Sequence, residues 1–503
     1  MKRSIRQKLA KSKRDLDRRL DRENWPKHSG PVMAARNIRY EFSGRMRATG
    51  AGGIGAFHKM VSGLGLVRDL DANIRLLKIH KPYHESDHIL NIVYNVLVGG
   101  VRLEDIELLR QDAAYMDALG AERIPDPTTA GDFLRRFDSE EKIVLLMDTI
   151  NAVRLRAWER IPKKDRRMAF IDVDGSLAET TGECKEGMDI SYNGIWGYHP
   201  LIITLANTDE YLYIVNRPGN RPSHDGAAAW IDQAVDWVRG SWDRICLRGD
   251  TDFSLTENFD RWTDDGLLFV LGFDASKALV KRAKALGEAA WALLDRPPKY
   301  TVKTEPRRRP ENVKEQVVRD REFTNKRLAE EHVAEFPYRP TKCRKTYRMV
   351  VVRKKINVEK GQGRLFDEYR YFFYITNRWD LTAAEVVFCA NERCDQENTV
   401  EQLKNGVNAL RLPMREFYAN WAYMVVAALA WNLKAWFAMH VPDSRAGETL
   451  LRMEFRTFLN AVIRIPCQIV KTGGQIVYRI LQYNSWLHHF FETFDVIRRL
   501  RFA

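Results

Sequence analysis

An α/β domain with helical regions before and after it is the fold class that this 503-residue sequence predicts, on three observations. Apolar residues recur at helical spacing from about residue 55 to 160; the period changes at Met168; short β-rich runs then alternate with amphipathic helices through residues 168–275. At roughly 100–200 residues per unit the length allows about three structural units. A composition of 45% hydrophobic and 29% charged residues describes a folded chain with a real core, and the length excludes a disulfide mini-protein or a lone binding module.

In chain order, residues 4–24 form a charged helical pattern that ends near Pro26 and gives way to the glycines Gly50, Gly52, Gly53 and Gly55, which read as a hinge. Ile89, Ile92, Val93, Val96 and Leu97 mark one helix, and Ile143, Leu146, Met147 and Ile150 another behind a cap at Ser139; Pro125 and Pro127 turn the chain between them. Met168 to Val173 reads as a strand, and Leu201–Leu205 with Tyr211–Val215 as a hairpin around Asn207-Thr208-Asp209-Glu210. A helix follows over Ala227–Val238, a strand over Ile245–Leu247, a helix over Leu255–Trp262 and a strand over Leu267–Leu271. Charges and prolines break the pattern over 277–345, before strand-like Tyr347–Val352 and Tyr369–Ile375, so this region reads as an insertion. The resulting divisions are 1–50, a basic arm; 51–165, helical; 166–276, the first part of the α/β core; 277–380, an insertion; 381–440, the second part of the core; and 441–503, a basic helical region.

Eighty-one Lys and Arg against 67 Asp and Glu leave a net charge of +14, and that excess sits at the two ends. Residues 1–45 carry 14 basic and 5 acidic side chains, residues 452–503 carry 8 and 3, and the middle is balanced. Basic ends fit a polyanion gripped through its phosphates, and solvated basic tails have the same charge pattern. The six cysteines contain no C-x-x-C, which speaks against a zinc knuckle or a disulfide framework and for a cytoplasmic protein; no export signal is visible. Phe417 to Leu433 is uncharged, but with Asn420 and Asn432 inside it the stretch reads as a core helix packed through Trp421, Trp431 and Trp436 rather than as a membrane span.

Three elements carry chemistry. In Asp172-Val173-Asp174-Gly175-Ser176 strand alternation puts both acids on one face with Asp174 at the strand end, and Arg248-Gly249-Asp250-Thr251-Asp252 repeats the pattern on a second strand. Ligand sites of open α/β sheets lie at such strand ends, and converging carboxylates suit a divalent cation, although an Asp capping the next turn has the same appearance. In the third, Arg393, Glu397 and Lys404 fall within about 40° of one another at the α-helical rotation, a stripe of one acid between two cations, which also describes an exposed ion-pair ladder. A rival motif, His84-Glu85-Ser86-Asp87-His88, has zinc-protease spacing, but Pro82 marks it as a helix start where the acids favour the dipole. His199 and His224 read as structural histidines, and the basic residues after Arg464 as one face of an amphipathic surface.

Together these elements resemble the Asp-Asp-Glu (DDE) transposases of bacterial insertion sequences over about residues 50–480. The resemblance is nearest to the group-one branch called insertion sequence thirteen-eighty, through Ile171–Ser176, Tyr192-Asn193-Gly194, Gly197-Tyr198-His199-Pro200-Leu201, Arg217-Pro218-Gly219-Asn220 and Leu247–Asp250. The spacing Arg393-x3-Glu397-x6-Lys404 is similar to the signature around that family's catalytic Glu. The resemblance implies a ribonuclease-H-like catalytic domain with a β-rich insertion, catalytic and metal-holding Asp174, Asp250 and Glu397, and DNA contacts from Arg393, Lys404, Arg248 and the Arg307-Arg308-Arg309 run. Asp174 is preferred to Asp172 because small residues follow it, and Asp250 to Asp252 because it follows Arg-x. Ala390 stands where the signature has Tyr, a departure that touches DNA positioning and leaves the acids intact.

The resemblance further implies Mg²⁺, with Mn²⁺ as a substitute, held by three carboxylates for two-metal phosphodiester cleavage and transfer of 3′ ends into target DNA. Double-stranded DNA, as transposon ends and target, is the expected partner, with a homodimer holding two ends. The alternatives are an inactive relative that binds ends without cutting and a structure-specific nuclease of the same fold.

Overall fold

The computed structural model describes residues 1–21, 32, 33, 35, 37–41, 44, 46–296, 312–360 and 363–501. The architecture is mixed α/β and divides into two units: residues 1–166, 175–221 and 397–503 form the first, and residues 167–174 and 222–396 the second.

The first unit is mainly helical. Helices Ile54–Gly63, Glu85–Val98 and Glu140–Trp158 pack against Phe417–Met439, a 23-residue helix along which every residue from Ala419 to Ala438 is buried, and Leu66–Asn73 packs on Glu140–Trp158. Local chemistry sets the helix ends: Asp126 caps Pro127–Leu134 by accepting from Thr129 N–H at 2.9 Å with Pro127 in the first turn, and Gly99 closes Glu85–Val98 in the left-handed region. Among the described residues Phe417–Met439 is the one helix long and apolar enough to cross a membrane, but 94% of its apolar window is buried inside the protein. The expected hinge is instead a packed junction, because Gly52 N–H and Gly53 N–H donate to the Ile465 and Ile463 carbonyls at 2.9 and 3.0 Å and both glycines are buried.

A buried carboxylate organises this unit. Glu210, at the start of the strand Glu210–Val215, accepts from Arg154 Nε at 2.8 Å, Trp158 Nε1 at 2.7 Å and Trp436 Nε1 at 2.6 Å, and so joins one strand to two helices. Two residues before Trp436 on the central helix, Lys434 donates to the Leu451 carbonyl at 2.6 Å and lies 3.6 Å from the Trp431 ring centre. Burial pulls its ammonium down to about 7, against the opposing charge of Asp209.

The second unit is built on a sheet whose strands are labelled β1 (Met168–Gly175), β2 (Arg244–Gly249), β3 (Leu268–Phe273), β4 (Ala292–Leu293), β5 (Thr324–Tyr338), β6 (Tyr347–Lys360) and β7 (Gly363–Thr376). β1, β2 and β3 run parallel, and β3 continues antiparallel through β7, β6, β5 and β4. The helix Ala227–Arg239 buries Ile231, Ala234, Val235 and Val238 on one side, the stripe its sequence predicts. On the other side of the parallel strands an apolar cluster of Cys246, Val270, Val350, Val352, Val386 and Val387 packs the helix Ala383–Asn391 against the sheet.

Two elements differ from the sequence reading. Residues 255–262 form a short 3-10 turn, Thr256–Asn258, before the six-residue helix Phe259–Asp264. The 277–345 stretch contains the helices Lys277–Lys284 and Val313–Asp320 and the 15-residue strand β5. Most side chains in the first half of β5 are exposed, so its charges stay in water while its backbone pairs with β6.

Two predictions follow from the first unit. Glu210→Ala strands the Arg154 charge in the core and lowers unfolding free energy by about 3–5 kcal/mol in urea titrations, whereas Arg154→Met with Glu210→Leu recovers only the part due to the stranded charge, because the Trp158 and Trp436 N–H groups stay unpaired. Lys434 has a folded value below that of the unfolded chain, so between about pH 7 and 10.5 the unfolded state binds more protons and stability rises with pH. Lys434→Met removes this contribution, up to ~1.4 kcal/mol per pH unit, and urea midpoints of both proteins at pH 7.5 and 9.5 measure the difference.

Candidate active site

The parallel register of β1 and β2 sets Asp172 opposite Arg248 and Val173 opposite Gly249. Asp172 and Arg248 are 1% and 2% exposed, and they meet as a two-pronged pair: Nε to Oδ1 at 2.6 Å and Nη2 to Oδ2 at 2.8 Å. The third nitrogen of Arg248, Nη1, donates to the Cys389 carbonyl at 3.2 Å and to Glu392 at 3.1 Å, at the end of the helix Ala383–Asn391. The guanidinium also stacks 4.7 Å from the Phe170 ring centre. Burial opposes its charge, but Asp172 outweighs burial and holds the guanidinium above its ordinary value. One cation therefore ties two strands and a helix together.

Asp174 lies two residues beyond this pair, half-buried at the end of β1, with Arg393 Nη1 3.6 Å from its Oδ2. Asp250 follows β2 and caps the short turn Thr251–Phe253, its Oδ1 accepting from Asp252 N–H at 3.0 Å. Burial raises the Asp250 carboxyl above its usual range, and the Arg393 charge and the Asp252 N–H only partly offset this. Arg393 thus acts on both carboxylates. Carboxylate oxygens of this kind are donors that suit a hard divalent cation, whose charge would favour the ionised form of Asp250.

A family model described as the transposase DDE domain, group 1, matches residues 30–502. The chain belongs to this transposase family. No curated protein matches the sequence. Among solved structures, a piggyBac transposase synaptic complex with hairpin DNA, determined by cryo-electron microscopy, is similar over 81% of each chain at 11% identity and a TM-score of 0.37, too slight a likeness to establish a common fold.

In this DDE-family chain the second unit brings together Asp174, Asp250 and Arg393, with Asp172 and Arg248 as their support. Glu397 and Lys404 belong to the first unit; Glu397 is exposed on the helix Cys394–Glu401. The single α-helical stripe expected of Arg393, Glu397 and Lys404 does not form. Arg393 precedes the helix, and Lys404 lies in a wider π turn, Gln402–Gly406, closed by Val407 N–H on the Gln402 carbonyl at 2.9 Å. Leu403 and Val407 are both buried in this turn.

Arg248 is also corrected. Its nitrogens are engaged by Asp172, the Cys389 carbonyl and Glu392, and it is buried, so it holds the frame and does not face DNA. Arg307, Arg308 and Arg309 lie outside the described residues. Asp252 is exposed and contributes its backbone N–H to Asp250. Ala390 packs against the apolar cluster of the second unit. Glu392 escaped the sequence reading because no motif marks it; its position three residues after the buried Cys389 on a helix was the available signal. The His84–His88 stretch is a helix start, where Glu85 accepts from the N–H groups of Leu76 and Leu77, both at 3.0 Å, and His88 stacks on Phe133.

The two neighbouring acids of β1 should separate in a stability measurement. Asp172→Asn, which leaves Arg248 without its counter-charge, loses about 3–5 kcal/mol in urea denaturation. Asp174→Asn, half-exposed at the strand end, changes stability by less than about 1 kcal/mol.

Proposed function

We propose that this transposase-family protein binds the terminal inverted repeats of an insertion sequence, cleaves the DNA there and transfers the 3′ ends to target DNA. The reading rests above all on one observation: Asp174 and Asp250 stand at the C-terminal ends of adjacent parallel strands and share the cation Arg393. The sequence signature around Glu397 supplies the third acid. A strand, an antiparallel hairpin, a helix and two parallel strands follow in chain order, which supports a ribonuclease-H-like catalytic domain. The motifs shared with the thirteen-eighty branch favour that branch. In this reading residues 51–165 recognise DNA, residues 277–380 are the insertion, and a homodimer in the bacterial cytoplasm holds two transposon ends.

Asp174, Asp250 and Glu397 would hold Mg²⁺, or Mn²⁺ in its place. The bound metal supplies activation of the attacking oxygen and charge stabilisation of the leaving one. Asp174 and Asp250 contribute acceptor oxygens that the strands set in advance, so little reorganisation accompanies reaction. Arg393 places positive charge beside both acids, where it neutralises the scissile phosphate and aligns it for attack. Lys404 adds a phosphate contact on the Glu397 segment.

Cleavage of a labelled duplex carrying the inverted repeats that flank the gene tests this reading. Wild type with Mg²⁺ nicks at the repeat boundary, while Asp250→Ala and Glu397→Ala bind the duplex and cut it at least about a hundredfold more slowly. Equal cutting by both variants would place the chemistry elsewhere, and wild type that binds but never cuts with any divalent metal would mark an inactive end-binding relative. Cutting of branched DNA without dependence on the repeats would mark a structure-specific nuclease.

A further inference from the structure

The last helix of the first unit, Leu487–Ile497, sets His488, His489 and Glu492 together on its solvent side. One donor atom from each, an imidazole nitrogen from either histidine and a carboxylate oxygen from the glutamate, lies within 4.8 Å of the other two. The spacing explains the convergence: Glu492 is four residues from His488 and three from His489, the two separations that bring side chains of a helix together. His488 Nδ1 is 3.4 Å from Glu492 Oε2. Among the described residues this is the one group of three His, Cys, Asp or Glu donors so close together.

The helix is fixed on its other side. Leu487, Phe490, Thr493 and Ile497 are buried, Phe490 N–H donates to the Trp486 carbonyl at 2.9 Å, and the Phe490 ring stacks 6.2 Å from that of Phe437 on the core helix Phe417–Met439. The backbone positions of the three donors are therefore set, and side-chain rotation alone separates them from a common centre. A tetrahedral ion with bonds of about 2.0–2.2 Å holds its donors about 3.4 Å apart, so the widest pair closes by at most about 1.4 Å from the 4.8 Å limit. Two features favour that closure. His489 Nδ1 is buried and, among the described residues, has no hydrogen-bond partner, a cost that coordination through this nitrogen removes. Glu492 pairs with Arg6 of the helix Arg3–Leu20, but at 3.8 Å and with Arg6 61% exposed, so releasing it costs little.

The donor set selects the ion. Magnesium and calcium take oxygen donors, whereas two imidazoles and one carboxylate form a mixed set that suits zinc, and three protein ligands leave a fourth position for water. We propose that His488, His489 and Glu492 form a Zn²⁺ site, different in ligand chemistry from the carboxylates Asp174 and Asp250. Because the three donors converge only on the folded helix, the bound ion stabilises the native chain over the unfolded one.

The test uses the full chain, free of any added histidine tag and stripped with chelator, with ZnCl₂ as the probe in titration calorimetry under excess MgCl₂. Wild type should bind one zinc per chain at this site, Asp250→Ala should bind it equally well, and His489→Ala and Glu492→Ala should each weaken it at least about tenfold. Co²⁺ gives a second readout, since it absorbs visible light strongly in a four-coordinate nitrogen and oxygen set and weakly among six oxygens: wild type should develop the strong band and lose it on adding zinc, and the two variants should not develop it. Zinc should also raise the urea midpoint of wild type and leave those of the variants where they are in chelator. Circular dichroism of the stripped proteins checks that the variants fold, and the exposed His488→Gln replaces either one that does not. Zinc held by the variants as tightly as by wild type, binding that disappears in Asp250→Ala, or release of the zinc by Mg²⁺ would overturn the site.

Discussion

The pairing of Asp172 with Arg248 is the constraint on which the placement of Asp174, Asp250 and Arg393 depends. A carboxylate and a guanidinium buried side by side lose their hydration, and only matched geometry with further hydrogen bonds offsets that cost. Here both prongs are engaged and the remaining nitrogen reaches the Cys389 carbonyl and Glu392, so the pair is satisfied only when β1, β2 and the helix Ala383–Asn391 are all in place. Asp174 leaves that frame after two residues, Asp250 after two, and Arg393 one residue after Glu392. These three side chains are thus short extensions of a rigid junction, which holds their backbone positions in place.

The first unit follows the same logic at Glu210. There a single carboxylate takes an arginine and two indole N–H groups, and the core helix Phe417–Met439 is located partly through Trp436. This explains why so apolar a helix carries buried polar groups: Asn432 Oδ1 accepts from Tyr211 N–H at 3.0 Å and Asn420 Oδ1 from Met414 N–H at 2.9 Å. Each amide supplies what an edge of backbone lacks. The composition that raises a membrane question is that of a helix enclosed on all sides.

Much of this was legible in the sequence. The change of period at Met168, the helix from Ala227 and the acids at two strand ends come from side-chain alternation and strand-end chemistry, and the structure places them as read. Four features were not legible, each for a physical reason. Asp172 and Asp174 share residue type and face, and only burial separates a structural acid from an accessible one. Arg248 read as a phosphate contact because a basic residue in a DNA-handling family is expected at the surface, while its cross-strand partner becomes visible only in the register of β1 and β2. β5 was hidden because its charges sit on an exposed ladder where backbone pairing, not apolar alternation, makes the strand. The π turn at Gln402–Gly406 breaks a stripe that a regular helix would have kept.

The account divides labour between two acids of one strand, and a metal can report on that division directly. Crystals soaked in Mn²⁺ and measured at the manganese absorption edge would show anomalous density against the oxygens of Asp174 and Asp250, with the Asp172 carboxylate still paired to Arg248. Manganese bound by Asp172, with Arg248 displaced, or bound by Asp252 in place of Asp250, would contradict it.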